Sequence, residues 1–197
     1  MTADQFTDFW NSVYPGTLPI PHDFKYDYSD RWFRIHSLPG SKRYPENDEE
    51  WQILLGRQNE IISDLLRDSS RILFVTGEFT SENHIELHPL EKVHSITNLS
   101  FTLLDPMDLH ELNPEEYETG QYYLPRFSEQ NWEPGKFDEI LKDIADDNLR
   151  AFIVSTDKVL VVAPYDGGMD FILEDTKTRD AYKAKYSDWL SSREDGL

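Results

Sequence analysis

The chain has 197 residues, 38% of them hydrophobic and 13% aromatic; a domain of that length buries roughly 70% of the surface its unfolded form exposes, and disordered chains are poor in rings. Its 38 Asp and Glu against 19 Lys and Arg leave a net charge of −19, which repels phosphate backbones and anionic lipid heads and so excludes nucleic acid and membrane surfaces as expected partners. The lack of cysteine removes disulfides, thiolate zinc sites and a cysteine nucleophile together.

Met1 to Phe6 has neither a basic opening nor an apolar stretch, and no run of about 18 apolar residues follows, so a soluble, cytoplasmic protein is expected. Phe6, Phe9, Trp10 and Val13 recur at helical spacing and predict a helix over Ala3 to Val13, broken at Pro15-Gly16. Thr17 to Asp30 reads as irregular.

Arg31 to Pro45, RWFRIHSLPGSKRYP, opposes the sign of the whole chain. It holds four of the 19 basic residues and a histidine. Phe33 and Ile35 alternate with Trp32, Arg34 and His36, which predicts a strand with Arg34 and His36 on one face. A turn at Pro39-Gly40-Ser41 leads to Lys42, Arg43 and Tyr44. The helix that follows is announced by Asn47 with Glu50 three residues on, a capping arrangement. Its stripe of Trp51, Leu54, Leu55, Ile61, Ile62, Leu65 and Leu66 is interrupted by Gln58.

Strands are predicted over Arg71 to Phe79, His94 to Leu104 and Gln121 to Phe127, the last two separated by the acidic connection Asp105 to Thr119. Pro134 to Asp147 reads as a helix through Phe137, Ile140, Leu141, Ile144 and Ala145. Leu149 to Ser155, Lys158 to Pro164 and Met169 to Leu173 read as strands. The short joins at Thr156-Asp157 and at Tyr165-Asp166-Gly167-Gly168 demand antiparallel neighbours. Asp175 caps a last helix carrying Ala181, Tyr182, Tyr186, Trp189 and Leu190. The expected class is α+β: a single domain over 1–197 with a mostly antiparallel sheet and about four helices. Within it, 1–30 form an N-terminal helix and lead-in, and 164–197 a C-terminal hairpin strand and helix.

Three places carry candidate chemistry. Arg34, His36, Lys42 and Arg43, with Tyr44 nearby, combine a planar fork, a titratable ring and a point charge, a set suited to phosphate or carboxylate. The competing reading pairs Arg34 with an internal Asp or Glu and leaves Lys42 and Arg43 solvated. At Tyr165, Asp166, Gly167 and Gly168 the paired glycines permit positive φ and close approach of backbone amides to a ligand. Asp166 and Asp170 offer carboxylates there, either as metal ligands or to hold Arg34, while a tight hairpin needs the same glycines with no ligand. His84, Glu86 and His88 share one face of a strand and form a weak metal set, equally consistent with an ordinary exposed strand. The adjacent pairs Glu115-Glu116 and Asp146-Asp147 read as solvated surface. No hydrolase elbow, zinc-protease helix, dinucleotide fingerprint or kinase signature occurs, and no cofactor is expected.

The strings Arg31 to Pro45, PYDGGMDFIL over Pro164 to Leu173 and KYSDWLSSREDGL over Lys185 to Leu197 resemble, in that order, the bacterial domain of unknown function family numbered 3885. Glu46 to Leu66 and Trp132 to Asp147 are similar too. The resemblance implies a bacterial, cytoplasmic, single-domain protein, and it brings no catalytic residue, cofactor or partner with it. Two functions are therefore expected from charge and motif. One is a non-catalytic acidic module that binds a protein, a basic one by charge, of the immunity or toxin-neutralising kind. The other is a small enzyme or ligand-binding domain holding an anion on Arg34, His36, Lys42 and Arg43, with Tyr165 or Asp166 nearby and His36 as acid or base. Convergence of Arg34, His36 and Asp166 in a concave pocket discriminates between them.

Overall fold

The computed structural model describes residues 1–21, 24–67, 71–81 and 92–191. Eight strands form one sheet in the order β1-β8-β7-β6-β2-β5-β3, with β4 also on β5. They are β1 (Trp32–His36), β2 (Arg71–Ser81), β3 (Thr102–Leu103), β4 (Met107–Asp108), β5 (Gln121–Asn131), β6 (Ala151–Ser155), β7 (Val161–Tyr165) and β8 (Gly168–Ile172). Every pairing is antiparallel. The helices are α1 (Ala3–Val13), α2 (Phe24–Asp27), α3 (Asp48–Leu66), α4 (Leu109–Leu112), α5 (Asp138–Ala145) and α6 (Thr176–Lys185), four of them longer than two turns. The α+β class with an antiparallel sheet is thus the architecture observed.

Strand alternation sorts the core into two layers. Phe33, Ile35, Phe74, Ile153, Val162, Met169 and Phe171 point to one face, where they meet Ile61, Ile62 and Leu65 of α3 and Ile140, Leu141 and Ile144 of α5. Leu73, Val75, Phe127, Phe152, Val154 and Val161 point to the other, under Phe6 and Trp10 of α1 and Phe24 of α2. Burying one large apolar side chain contributes about 1.5–3 kcal/mol, so both layers matter to the fold. Gln58, the polar break in the α3 stripe, is fully buried and donates from Nε2 to Ser37 Oγ at 2.9 Å. It ties α3 to the end of β1.

Local signals explain most boundaries. Thr2, Asn47 and Asp175 accept backbone N–H groups at the starts of α1, α3 and α6. Glu50 does not complete the box with Asn47, because its carboxylate accepts from Lys42 Nζ and from the Glu46 N–H instead. Two expectations need correction. The apolar run His94 to Leu104 forms a 3-10 turn at His94–Ile96 and only a two-residue strand at Thr102–Leu103, its side chains packing Ile96, Leu99 and Phe101 onto the helix-side layer. The helix predicted from Pro134 starts only at Asp138, because Gly135 adopts φ +83° in a turn that places Phe137 at the cap. A short helix, α2, lies within the stretch read as irregular.

β1 forms one edge of the sheet. Its Phe33 and Ile35 face β8 along the backbone ladder, so the polar groups of Trp32, Arg34 and His36 face outward. Arg57 of α3 donates to the His36 carbonyl at 3.0 Å and Arg179 of α6 to the Trp32 carbonyl at 3.4 Å. Among the described residues no helix is long and apolar enough to cross a membrane.

Candidate functional site

The sheet register builds the site. Arg34 on β1 lies opposite Asp170 on β8, which lies opposite Ala163 on β7, and the next row is His36, Gly168 and Tyr165. Both rows point to the face that α1 and α2 cover only in part. A cleft of about 960 Å³ lies against the uncovered part and reaches round the end of the sheet to Ile144 and Leu149. Arg34, His36, Tyr165, Asp166, Asp170 and Arg43 line it, at the upper end of the size range usual for small-molecule sites.

Arg34 is held by a bidentate pair, Nε to Asp170 Oδ1 at 2.6 Å and Nη2 to Asp170 Oδ2 at 2.8 Å. The Tyr165 ring lies 4.6 Å from the guanidinium and the Trp32 ring 5.5 Å. Burial alone would lower the pKa of Arg34, but the hydrogen bond and charge of Asp170 outweigh it and hold it above its ordinary value. A guanidinium has five N–H groups and this pair uses two. Nη1 makes no hydrogen bond among the described residues.

Glycine at position 168 makes the second row possible. A Cβ there would stand 2.0 Å from the Ile35 carbonyl oxygen and 2.9 Å from the Tyr165 hydroxyl. At Gly167 a Cβ would meet Tyr165 Cε2 at 3.0 Å. The ring therefore folds back over its own hairpin into the space the two glycines leave. Neither glycine has positive φ, so the expectation of amides freed by positive φ is corrected: these residues are small to admit a strand and a ring. Burial first, against the nearby Arg34 charge, pushes the Tyr165 phenol well above its usual range and keeps it a neutral hydrogen-bonding group.

His36 completes the row. Its Nε2 is buried with no hydrogen-bond partner among the described residues. Burial and then the Arg34 charge hold the ring below its ordinary pKa of 6.5, so it is neutral at pH 7. Such an atom is an unused donor or acceptor, according to tautomer, buried in a residue that lines the cleft.

The rest of the basic segment divides. Arg43 bridges to Asp166, whose Oδ2 also accepts from Tyr44 Oη at 2.9 Å. The loop after β1 is thereby fastened to the β7–β8 turn. Lys42 points away from the cleft, to Glu50 at 2.7 Å and Glu46 at 3.1 Å. Arg34, His36, Arg43, Tyr165, Asp166 and Gly167 thus converge, Tyr44 touches the group from outside, Gly168 underlies it, and Lys42 is separate. His84, Glu86 and His88 lie outside the described residues.

Sequence reading missed Lys25 and Tyr26 of α2 and Asp147 and Arg150 before β6, all on the cleft wall. Lys25 sits over the exposed Tyr26 ring at 4.9 Å, a basic-aromatic dipeptide that the irregular reading of this stretch passed over. With Glu116, the wall carries four basic and four acidic residues. The cleft is charge-balanced, and the whole excess of acid lies elsewhere on the chain.

The family model described as Domain of unknown function (DUF3885) matches residues 20–194. No curated protein and no solved structure matches the chain.

Proposed function

The chain belongs to the DUF3885 family, and on that premise we propose that it binds a small carboxylated or phosphorylated molecule in the cleft above β1, β8 and β7. One observation carries the reading: the register brings Arg34, His36 and Asp166, distant or separated in sequence, into one concave, charge-balanced space. Elsewhere the chain repels an anion; here four cations offset the acid. Arg34 anchors the anionic group through the N–H groups that Asp170 leaves unused, and Asp170 fixes the guanidinium plane. Tyr165 supplies a flat wall and a neutral hydroxyl. His36, uncharged, is the residue to examine first for proton transfer.

Native mass spectrometry of the protein purified gently from its own host tests this. The expected result is a small-molecule adduct that is lost in Arg34→Lys and retained in Lys42→Ala, since Lys42 lies outside the cleft. Equal retention by both variants counts against the site.

A second reading is supported by the charge outside the cleft, where the full net −19 resides. A surface of that sign suits a basic protein partner, and its field speeds encounter. A stoichiometric protein that co-purifies at low salt and dissociates at high salt, unaffected by Arg34→Lys, favours it.

A further inference from the structure

The cleft offers both signs of unused hydrogen-bonding capacity. On the cationic side, Arg34 Nη1 is uncommitted because Asp170 engages only Nε and Nη2. On the anionic side, Arg43 and Tyr44 both bond to Oδ2 of Asp166, which leaves Oδ1 without a hydrogen bond among the described residues. Asp166 as a whole is largely buried, its side chain 11% exposed, while Oδ1 keeps access to the solvent of the cleft. The neutral Nε2 of His36 lies between these signs in character, and the cleft wall as a whole is balanced.

A bare anion uses half of this. Placed near Arg34 it would gain from the guanidinium and lose to Asp166, Asp170 and Asp147, which line the same space. A ligand carrying its own positive charge converts that repulsion into a second contact. Specificity then comes from the penalty of leaving either Arg34 Nη1 or Asp166 Oδ1 unpaired and desolvated. The aromatic walls add a surface for a flat or apolar side chain, from Tyr165 beside Arg34 and from the exposed ring of Tyr26.

Building on the small-molecule reading above, we infer that the ligand is a zwitterion of the amino-acid or short-peptide class, its carboxylate on the free edge of Arg34 and its protonated amine on Asp166 Oδ1. The volume accommodates either a free amino acid or a peptide of a few residues. Both present the same pair of charged ends.

Isothermal titration calorimetry of the full chain tests the inference with five probes: phenylalanine, alanylphenylalanine, its N-acetylated form, its C-terminal amide, and inorganic phosphate. One of the two free zwitterions is expected to bind about tenfold or more tighter than either blocked form, as one charge-assisted hydrogen bond requires. The stronger of phenylalanine and the dipeptide tells which source the cleft serves. Asp166→Asn is expected to reduce the free zwitterion to the level of the N-acetylated form without altering the latter. If the N-acetylated form or phosphate binds as tightly as the zwitterions, the inference falls and the anion site stands. If none of the five binds, the inference and the small-molecule reading fall together.

Discussion

Two arginines stand on opposite faces of the sheet, each against a carboxylate, and their surroundings differ. Arg126 on β5 meets Glu78 on β2 on the helix-side face, with side chains only 9% and 4% exposed, and its Nε finds no partner among the described residues. Arg34 meets Asp170 with two matched bonds, is flanked by two rings and opens onto a cleft. Burying charges costs several kcal/mol per ion and the attraction between them only roughly offsets it, so a pair sealed in the interior holds its place mainly because removing one member is worse. A pair at a cleft floor keeps access to water and has donors left over. The difference separates an ion pair that serves packing from one that can serve recognition.

The strongest way to sharpen that contrast acts on the strand pairing beneath Arg34. Gly168→Ala forces a Cβ to 2.0 Å from the Ile35 carbonyl, and a loss of more than about 4 kcal/mol is expected in chemical denaturation. Gly167→Ala, which meets only the Tyr165 ring edge at 3.0 Å, is expected to lose about 1–3 kcal/mol. Next comes the sealed pair. Glu78→Ala leaves Arg126 buried against no carboxylate and is expected to cost about 3–5 kcal/mol, much of it recovered in the double variant Glu78→Leu with Arg126→Met.

Arg34→Met is expected to cost less, about 1.5–3 kcal/mol, because Asp170 can take water from the cleft. A loss as large as that of Glu78→Ala would erase the distinction drawn here. The pH dependence should be milder again. His36 titrates below 6.5 in the folded chain, so folding favours its neutral form; that contribution is complete above pH 6.5 and is lost as pH falls through the folded value. His36→Gln should flatten the decline in thermal stability below pH 6.5, and an unchanged slope would show that the ring is not shielded. Lys42→Ala should have the smallest effect, a slight salt-sensitive loss of stability with ligand binding intact.

Much of this was legible in the residues. Phe33 and Ile35 between Trp32, Arg34 and His36 gave away β1 and its faces, and the two-residue turn at Asp166-Gly167 gave away the β7–β8 hairpin. The pairing of Arg34 with Asp170 was one of two readings left open. What stayed hidden depends on register. Nothing in sequence sets Glu78 beside Arg126, 48 positions away, or turns Lys42 toward α3 while its neighbour Arg43 crosses to Asp166. Lys25, Tyr26 and Arg150 reach the cleft wall through the placing of α2 and the start of β6, and no local periodicity encodes that. The His94 to Leu104 run misled because apolar alternation describes side chains that pack, whether or not the backbone joins a ladder.

The treatment of the β1 edge has a consequence for life in a crowded cell. An outer strand with vacant acceptors is a template on which another chain can extend the sheet, and repetition of that step produces fibres. Here two of the three outward carbonyls, those of Trp32 and His36, are already taken by Arg179 and Arg57. The two arginines act as end stops: they come from helices far apart in sequence, so the β1 edge is blunted only once the tertiary structure is complete. At this edge, vulnerability to strand addition is greatest before α3 and α6 dock.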